Sequence, residues 1–416
     1  MLYLFADRVP LKARDAYGKD VAAGVLGAVM MGLTGPFVAI IARKTLHANA
    51  FEIGLLSMAP VAGNLFSLVW ANVMEGRRKM PFAVWSWVAA RALFFLCVFA
   101  TTSASFVAIV AALNFIGSIS APAYAALIKE IYPDGDRARI MGYVRVCTVG
   151  AFVIVTAIAA PLLSGDHYRY LFPVAGLFGV ASAFVFAKIH ANEAAGDPSV
   201  SLGRFVHGGV KILRDDPGFR WFCGGIFVFG FANFLAMPIY TIYQVQIGVD
   251  TTWAGIYSIA SALVMTVAYL YWGSYIDRKR PEGVVALQAL VWASIPLIYC
   301  FATRPWMLLP TAVIGGVLGA GVELSYLTGV LWFAPSERIT SYQAVFLSLM
   351  GLRGMVAPFV GAALNQSGLL SARSVFLLSA GMIMAGVVIQ LVGMRRYGRF
   401  AGPGQAKPEC GEGQSA

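Results

Sequence analysis

Two residues in this 416-residue chain, Glu323 and Arg353, point most directly to chemistry. Each interrupts a long apolar run, Glu323 in "TAVIGGVLGAGVELSYLTGVLWF" and Arg353 in "QAVFLSLMGLRGMVAPFVGAAL". An ion in hydrocarbon is expensive unless it is paired or faces water. Glu323 must therefore be protonated, paired with a cation, or exposed to an aqueous cavity. Counted from the same end of their runs, the two residues differ in level by roughly 3 Å at about 1.5 Å per helical residue. They suit either a static structural pair or one that is exchanged as a solute or proton moves. Gly315, Gly319, Glu323 and Tyr326 share one helical stripe. Tyr124 occupies a corresponding position in the first half of the chain, and Asn114 and Asn233 interrupt two further apolar runs. These are candidates for a cavity wall, or for hydrogen bonding and packing between helices. Of the other intramembrane cations, Arg91 reads as a structural hydrogen-bond donor. Arg145 reads as one that reaches the interface or supports a loop contact.

Positioning these residues requires helices in a bilayer. Hydrophobic residues make up 59% of the chain and charged residues only 12%, where a soluble domain carries about 25% charged. Apolar runs of about 20 residues recur along its whole length, which is the signature of transmembrane helices. The expected fold is thus all-α and integral to the membrane. Twelve spans are expected, near 20–42, 51–74, 81–101, 105–128, 140–164, 170–189, 220–244, 252–275, 283–302, 306–332, 340–364 and 373–394. The net charge of +11 sits in short loops between the runs, which argues for topology determinants and against nucleic-acid binding. No cysteine pair has CxxC spacing, no phosphate-binding GxxxxGK[ST] occurs, and no His, Asp or Cys cluster suggests catalysis. Neither an enzyme, a metal site nor a cofactor is expected.

Outside the spans, most cations fall on one side when the N-terminus is placed in the cytoplasm. Arg43, Lys44, Arg169, Arg304 and Arg373 fall on the other. By the positive-inside rule both termini are then cytoplasmic, in a cell (inner or plasma) membrane. The expected organisation is a cytoplasmic segment 1–19, a six-helix bundle 20–189, a linker 190–219, a second six-helix bundle 220–394 and a disordered tail 395–416. Within the linker, "SLGRFVHGGVKILRDDPGF" reads as a basic amphipathic helix on the membrane surface. The halves repeat at a shift of 202. Pro36 then meets Pro238, Trp70 meets Trp272, Gly117 meets Gly319, and Tyr124 meets Tyr326. At a shift of 201, Gly54 meets Gly255. The bundles are thus expected to be pseudo-symmetric about an axis normal to the membrane.

Two loops carry a further signal, "ANVMEGRRKMP" at 71–81 and "WGSYIDRKRPEG" at 272–283. Each follows the second span of its half. With the six-plus-six arrangement and the central loop, they resemble the signature G-x-x-x-D-R-x-G-R-R of the major facilitator superfamily. Gly273, Asp277 and Arg278 match its front, while Arg280, Pro281 and Glu282 depart from its back. In the first copy Glu75 keeps the acid, Gly76 replaces the usual arginine, and Arg77, Arg78 and Lys79 keep a basic cluster. The resemblance implies a cytoplasmic gate in which Glu75 and Asp277 act as latches, alongside Arg78, Gly273, Arg278 and Arg280. The span-4 arginine and the span-5 Gly-Pro motif of the proton-coupled drug exporters are missing.

The resemblance implies a monomeric secondary transporter that moves a small solute by alternating access, with protons a candidate coupling ion. The contrasting expectation is a transporter-shaped receptor or assembly factor, in which Glu323 and Arg353 would pack dry with no cavity. The excess of intramembrane arginine leans towards an anionic or amphipathic solute.

Overall fold

The computed structural model describes residues 5–74, 77–133, 136–163, 165–190, 211–276, 281–335 and 339–397. Helix α1 spans Arg14–Thr34 and opens with an exposed Lys19–Asp15 ion pair at 2.6 Å. That pair gives the first turn its outer face and turns Tyr17 and Asp20 inwards, where both are buried. The helix is interrupted at Gly35–Pro36, since proline has no N–H to continue the ladder. The chain resumes as Val38–Ile40 and a π turn, Ile41–Thr45.

The next span begins with reciprocal capping, in which the Asn49 N–H donates to Glu52 and the Glu52 N–H to Asn49. Ser103 also donates to Glu52, at 2.9 Å, which pins the start of the fourth span beside it. This second span comes as two helices, α2 (Ala50–Leu65) and α3 (Ser67–Met74). The break falls at Phe66, whose N–H turns back to Gly63. The first half then continues through α4 (Lys79–Ala92), which tightens into a 3-10 segment over Leu93–Phe99. It closes with α5 (Ser103–Ser118), α6 (Ser120–Ile131), α7 (Arg137–Leu162) and α8 (Tyr168–Phe186).

The second half repeats the pattern with α9 (Pro217–Gln246), α10 (Thr251–Ile276), α11 (Pro281–Trp292), α12 (Ser294–Phe301), α13 (Leu309–Phe333), α14 (Ile339–Gln366) and α15 (Ala372–Tyr397). Among the described residues eleven helices are long and apolar enough to cross a membrane; the broken α2–α3 stretch is the remaining expected span. Helix α9 begins at Pro217 with Asp216 capping Phe219 N–H at 2.9 Å, so the linker ends there rather than at 219. Of the expected amphipathic linker helix, 211–219 lie among the described residues; 211–215 are helical, and from Pro217 the chain already belongs to α9. The expected tail 395–416 is described only to Tyr397. Large apolar side chains such as Phe99, Val267, Leu270 and Phe301 are exposed, which on a membrane bundle is the lipid-facing surface.

The repeat is legible in the contacts. Gly54 on the second span lies against Pro358 and Ala362 on α14, the eleventh span. Its partner Gly255 on the eighth span lies against Ala160 on α7, the fifth. The missing side chains let helices from opposite halves approach closely. Buried tyrosines obey the same symmetry at their acceptors: Tyr168 donates to Ala100 O and Tyr243 to Ala302 O, each at 2.7 Å.

The packing differs between the two ends of the bundle. At the end away from the linker, Phe37, Ile41 and Ile53 of the first half share one core with Ile239, Val249 and Ala254 of the second. At the linker end the cores are separate. Tyr17, Ile128 and Ile140 pack within the first half, and Phe219, Val330 and Phe346 within the second. The break at Phe66 follows the same division: α2 packs on α14, whereas α3 packs on α6 within its own half.

Candidate functional site

Between the halves lies a cavity of about 550 Å³. Asn233, Met237, Tyr240 and Gln244 reach it from one face of α9, at the i, i+4, i+7 spacing that lines up side chains on a helix. Ser258, Ser261 and Met265 of α10 form a second wall, Trp292 and Tyr299 a third, and Thr311 and Gly315 of α13 a fourth. The first half contributes Phe152 of α7. Among the described residues, none that lines the cavity carries a formal charge.

The polar groups there are held in place. Trp292 Nε1 donates to Asn233 Oδ1 at 3.0 Å. An indole N–H can only donate, so this bond fixes the amide and leaves the Asn233 NH₂ free to donate. Gln244 Nε2 bonds to the Tyr299 hydroxyl at 2.6 Å, and Tyr257 donates to Pro305 O at 2.6 Å. Tyr240 stacks between Tyr299 (centroids 4.3 Å apart) and Phe376 (5.2 Å). Its buried hydroxyl has no hydrogen-bond partner among the described residues.

Of the residues singled out from sequence, Asn233 lies in this cavity. Asn114 Nδ2 instead donates to Val110 O, one turn back in its own helix, at 2.9 Å. Tyr124 packs on Trp87 and Phe186 inside the first half. Tyr326 meets Phe346 edge-on at 5.4 Å. Neither tyrosine lines the cavity, so the two do not flank one central site. Their repeat-equivalent positions face the core of each half.

Arg353 is 6% exposed and lies on α14. Its Nη1 donates to Ile226 O of α9, and its guanidinium lies 5.9 Å from the rings of both Phe234 and Tyr326. It fits only because position 230 is glycine; a Cβ there would overlap the guanidinium. Arg353 Nε has no partner among the described residues. The side chain of Glu323 lies outside the described residues. Its backbone is in α13, one turn before Tyr326, on the stripe that meets Arg353. Gly315 of the cavity wall is eight residues away, about 12 Å along the helix. The Glu323 and Arg353 positions therefore sit nearer the linker end than the cavity does.

Glu75, Asp277, Arg278 and Arg280 lie outside the described residues. Gly273 is helical in the last turns of α10, and Arg78 is exposed immediately before α4. The other two intramembrane arginines find structural partners. Arg91 donates to Gly179 O at 2.7 Å and lies 4.8 Å from the Trp87 ring. Arg145 reaches across the halves to the Tyr269 hydroxyl at 3.4 Å. With Arg353 also turned to a backbone carbonyl, none of the three lines the cavity. The sequence-based lean towards an anionic solute loses its support.

One buried acid escapes the sequence reading. Asp20 is 5% exposed and accepts a 2.7 Å hydrogen bond from Tyr132. From hydropathy it stood at the edge of the first span; in the structure α1 begins six residues earlier and carries it inside. Tyr132→Phe removes a donor from a buried carboxyl and should cost about 1–3 kcal/mol. Asp20→Asn keeps an acceptor for the tyrosine and should cost less. Thermal unfolding of the detergent-solubilised variants checks this; equal losses would contradict it.

The helical halves and the cavity between them define the class. Residues 21–331 match the model of the Major Facilitator Superfamily, and the chain belongs to that family. Among curated proteins it is 25% identical over 177 residues to "Multidrug resistance protein MdtG" of Proteus mirabilis, a match covering 41% of this chain and 42% of that protein. Among solved structures it is similar to the nucleoside transporter NupG, with a TM-score of 0.67 at 12% identity over 91% of this chain and 99% of that one. It also resembles a D-xylose-proton symporter, with a TM-score of 0.64 at 12% identity over 91% and 96% of the two chains. These likenesses show the fold.

Proposed function

We propose that this protein is a secondary transporter that carries a small solute across a cell membrane by alternating access. The observation that supports this best is the unequal packing of its ends. The halves share one core at the end away from the linker and keep separate cores at the linker end. A solute-sized cavity lies between them. Such an arrangement is closely packed on one side and looser on the other, where Arg145 still reaches Tyr269 across the halves, as one state of a rocking mechanism requires. The cavity also favours a transporter over a receptor or assembly factor of the same shape, which needs none.

The positive-inside count assigns the linker end and both termini to the cytoplasm. The present state is then inward-facing, in a monomer with two six-helix bundles. In the opposite state the linker end closes, and the basic loop around Arg78 and the loop following Gly273 form the gate, with Glu75 and Asp277 as latches. Arg353 is the coupling cation. Its Nε has no partner among the described residues, and Glu323 stands one turn from the Tyr326 ring that Arg353 touches. Protonation of Glu323 would change the pairing of Arg353 and so the packing of α13, α14 and α9. The solutes named for the similar proteins differ from one another, so this chain's solute must be read from its own cavity.

Proteoliposomes test the coupling. With an imposed pH gradient, the native protein should accumulate solute above equilibrium. Glu323→Gln should retain solute exchange but lose gradient-driven accumulation by about tenfold or more, the scale of a buried ion pair's loss. Equal accumulation with and without the gradient, unaffected by Glu323→Gln, would remove proton coupling from the account.

A further inference from the structure

We infer that the cavity takes an uncharged, ring-bearing polar solute, held almost wholly by the second half of the chain; this rests on the transporter reading above. Three observations carry it. First, none of the described residues in the wall bears a formal charge. A charged solute entering it would give up water without gaining a counter-ion, which is unfavourable in a buried site. The arginines that could have served as counter-ions are turned to Gly179 O, Tyr269 and Ile226 O instead.

Second, the wall is aromatic. Tyr257, Trp292, Tyr299 and Phe152 present ring surface to a flat solute, and ring pairs of this kind add to simple burial. Third, the polar groups left over are neutral. The Trp292 bond leaves the Asn233 NH₂ to donate, and Gln244 spends one end of its amide on Tyr299 and keeps the other. A solute offering a carbonyl, ring nitrogen or hydroxyl would satisfy them, and an unmet polar group in such a site discriminates strongly. The volume of about 550 Å³ lies within the range of small-molecule pockets.

The test uses the full-length protein in proteoliposomes and radiolabelled probes in matched pairs: uridine with uridine 5′-monophosphate, and D-glucose with D-gluconate. One neutral member should move, its charged partner should move about tenfold or more slowly, and Asn233→Leu should raise its KM by about tenfold. Preferential movement of a charged member would overturn the inference and leave the transporter reading standing. Movement of a neutral member with an unchanged KM in both Asn233→Leu and Tyr299→Leu would also overturn it, by placing the solute elsewhere. No movement of any probe would overturn the transporter reading and this inference together.

Discussion

Gly230→Ala should destabilise the protein by about 2–3 kcal/mol, and adding Arg353→Met should restore most of the loss. The added Cβ would occupy the space of the Arg353 guanidinium. Arg353 would have to leave Ile226 O, and a cation only 6% exposed would be left without that partner. Removing a partner from a buried charge costs more than removing the charge itself, because the charge remains to be solvated. Arg353→Met alone keeps much of the volume and should therefore be milder than Gly230→Ala. The double variant places the Cβ beside a flexible apolar side chain that can move aside. Thermal unfolding of the four proteins forms a double-mutant cycle. Additive losses would show that Gly230 and Arg353 do not act together.

Gly361→Leu should be comparably severe, and no side-chain substitution opposite it should rescue it. A Cβ at Gly361 would collide with the Leu235 carbonyl of α9, a backbone atom that cannot rotate away. Overpacking costs about 1–3 kcal/mol where neighbours can adjust, and here only a whole helix can shift. Leu235 lies between Asn233 and Met237 of the cavity wall, so the displaced helix should also weaken solute binding. Gly381 of α15, which has nothing within 4 Å of a built Cβ, is the control. Its replacement by leucine should leave both unfolding and flux near native values. Equal tolerance at the two positions would contradict the close approach of α9 and α14.

Much of this architecture was legible because its determinants are local in the sequence. Runs of apolar residues mark the spans, and cations mark the loops. The repeat set Gly54 opposite Gly255 as equivalent positions, and the structure gives each a close helix approach, α2 on α14 and α10 on α7. Other features were hidden for physical reasons. The first helix begins in the polar stretch Arg14–Lys19, where hydropathy is blind, so Asp20 seemed peripheral although it is buried. The break at Phe66 has no proline to announce it.

The site was less legible than the fold. A charged residue in an apolar run stands out, so Glu323 and Arg353 drew attention. The cavity is instead built from Tyr240, Tyr257, Trp292, Tyr299 and Gln244, residues that in sequence look like ordinary span-end aromatics and amides. Asn233 was the one polar residue inside a span that led to it. Its α9 register, with Met237, Tyr240 and Gln244 following at helical spacing, was the signal that could have found the rest. The repeat sets Tyr124 opposite Tyr326. A repeat relates positions and not roles, and both turned out to face the packed interior of their own halves.

If the halves part and close about the cavity, one cross-link between them should stop transport. A Cβ built on Gly54 lies 3.7 Å from Ala362 Cβ, across the shared core of the two halves, within the disulfide range of about 3.5–4.5 Å. With Cys97, Cys147, Cys223, Cys300 and Cys410 replaced, the double variant Gly54→Cys, Ala362→Cys can be oxidised in proteoliposomes and its solute flux measured. Oxidation should stop flux and reduction should restore it, with neither single variant responding. A fully cross-linked protein that still carries solute at the native rate would contradict alternating access between these two halves.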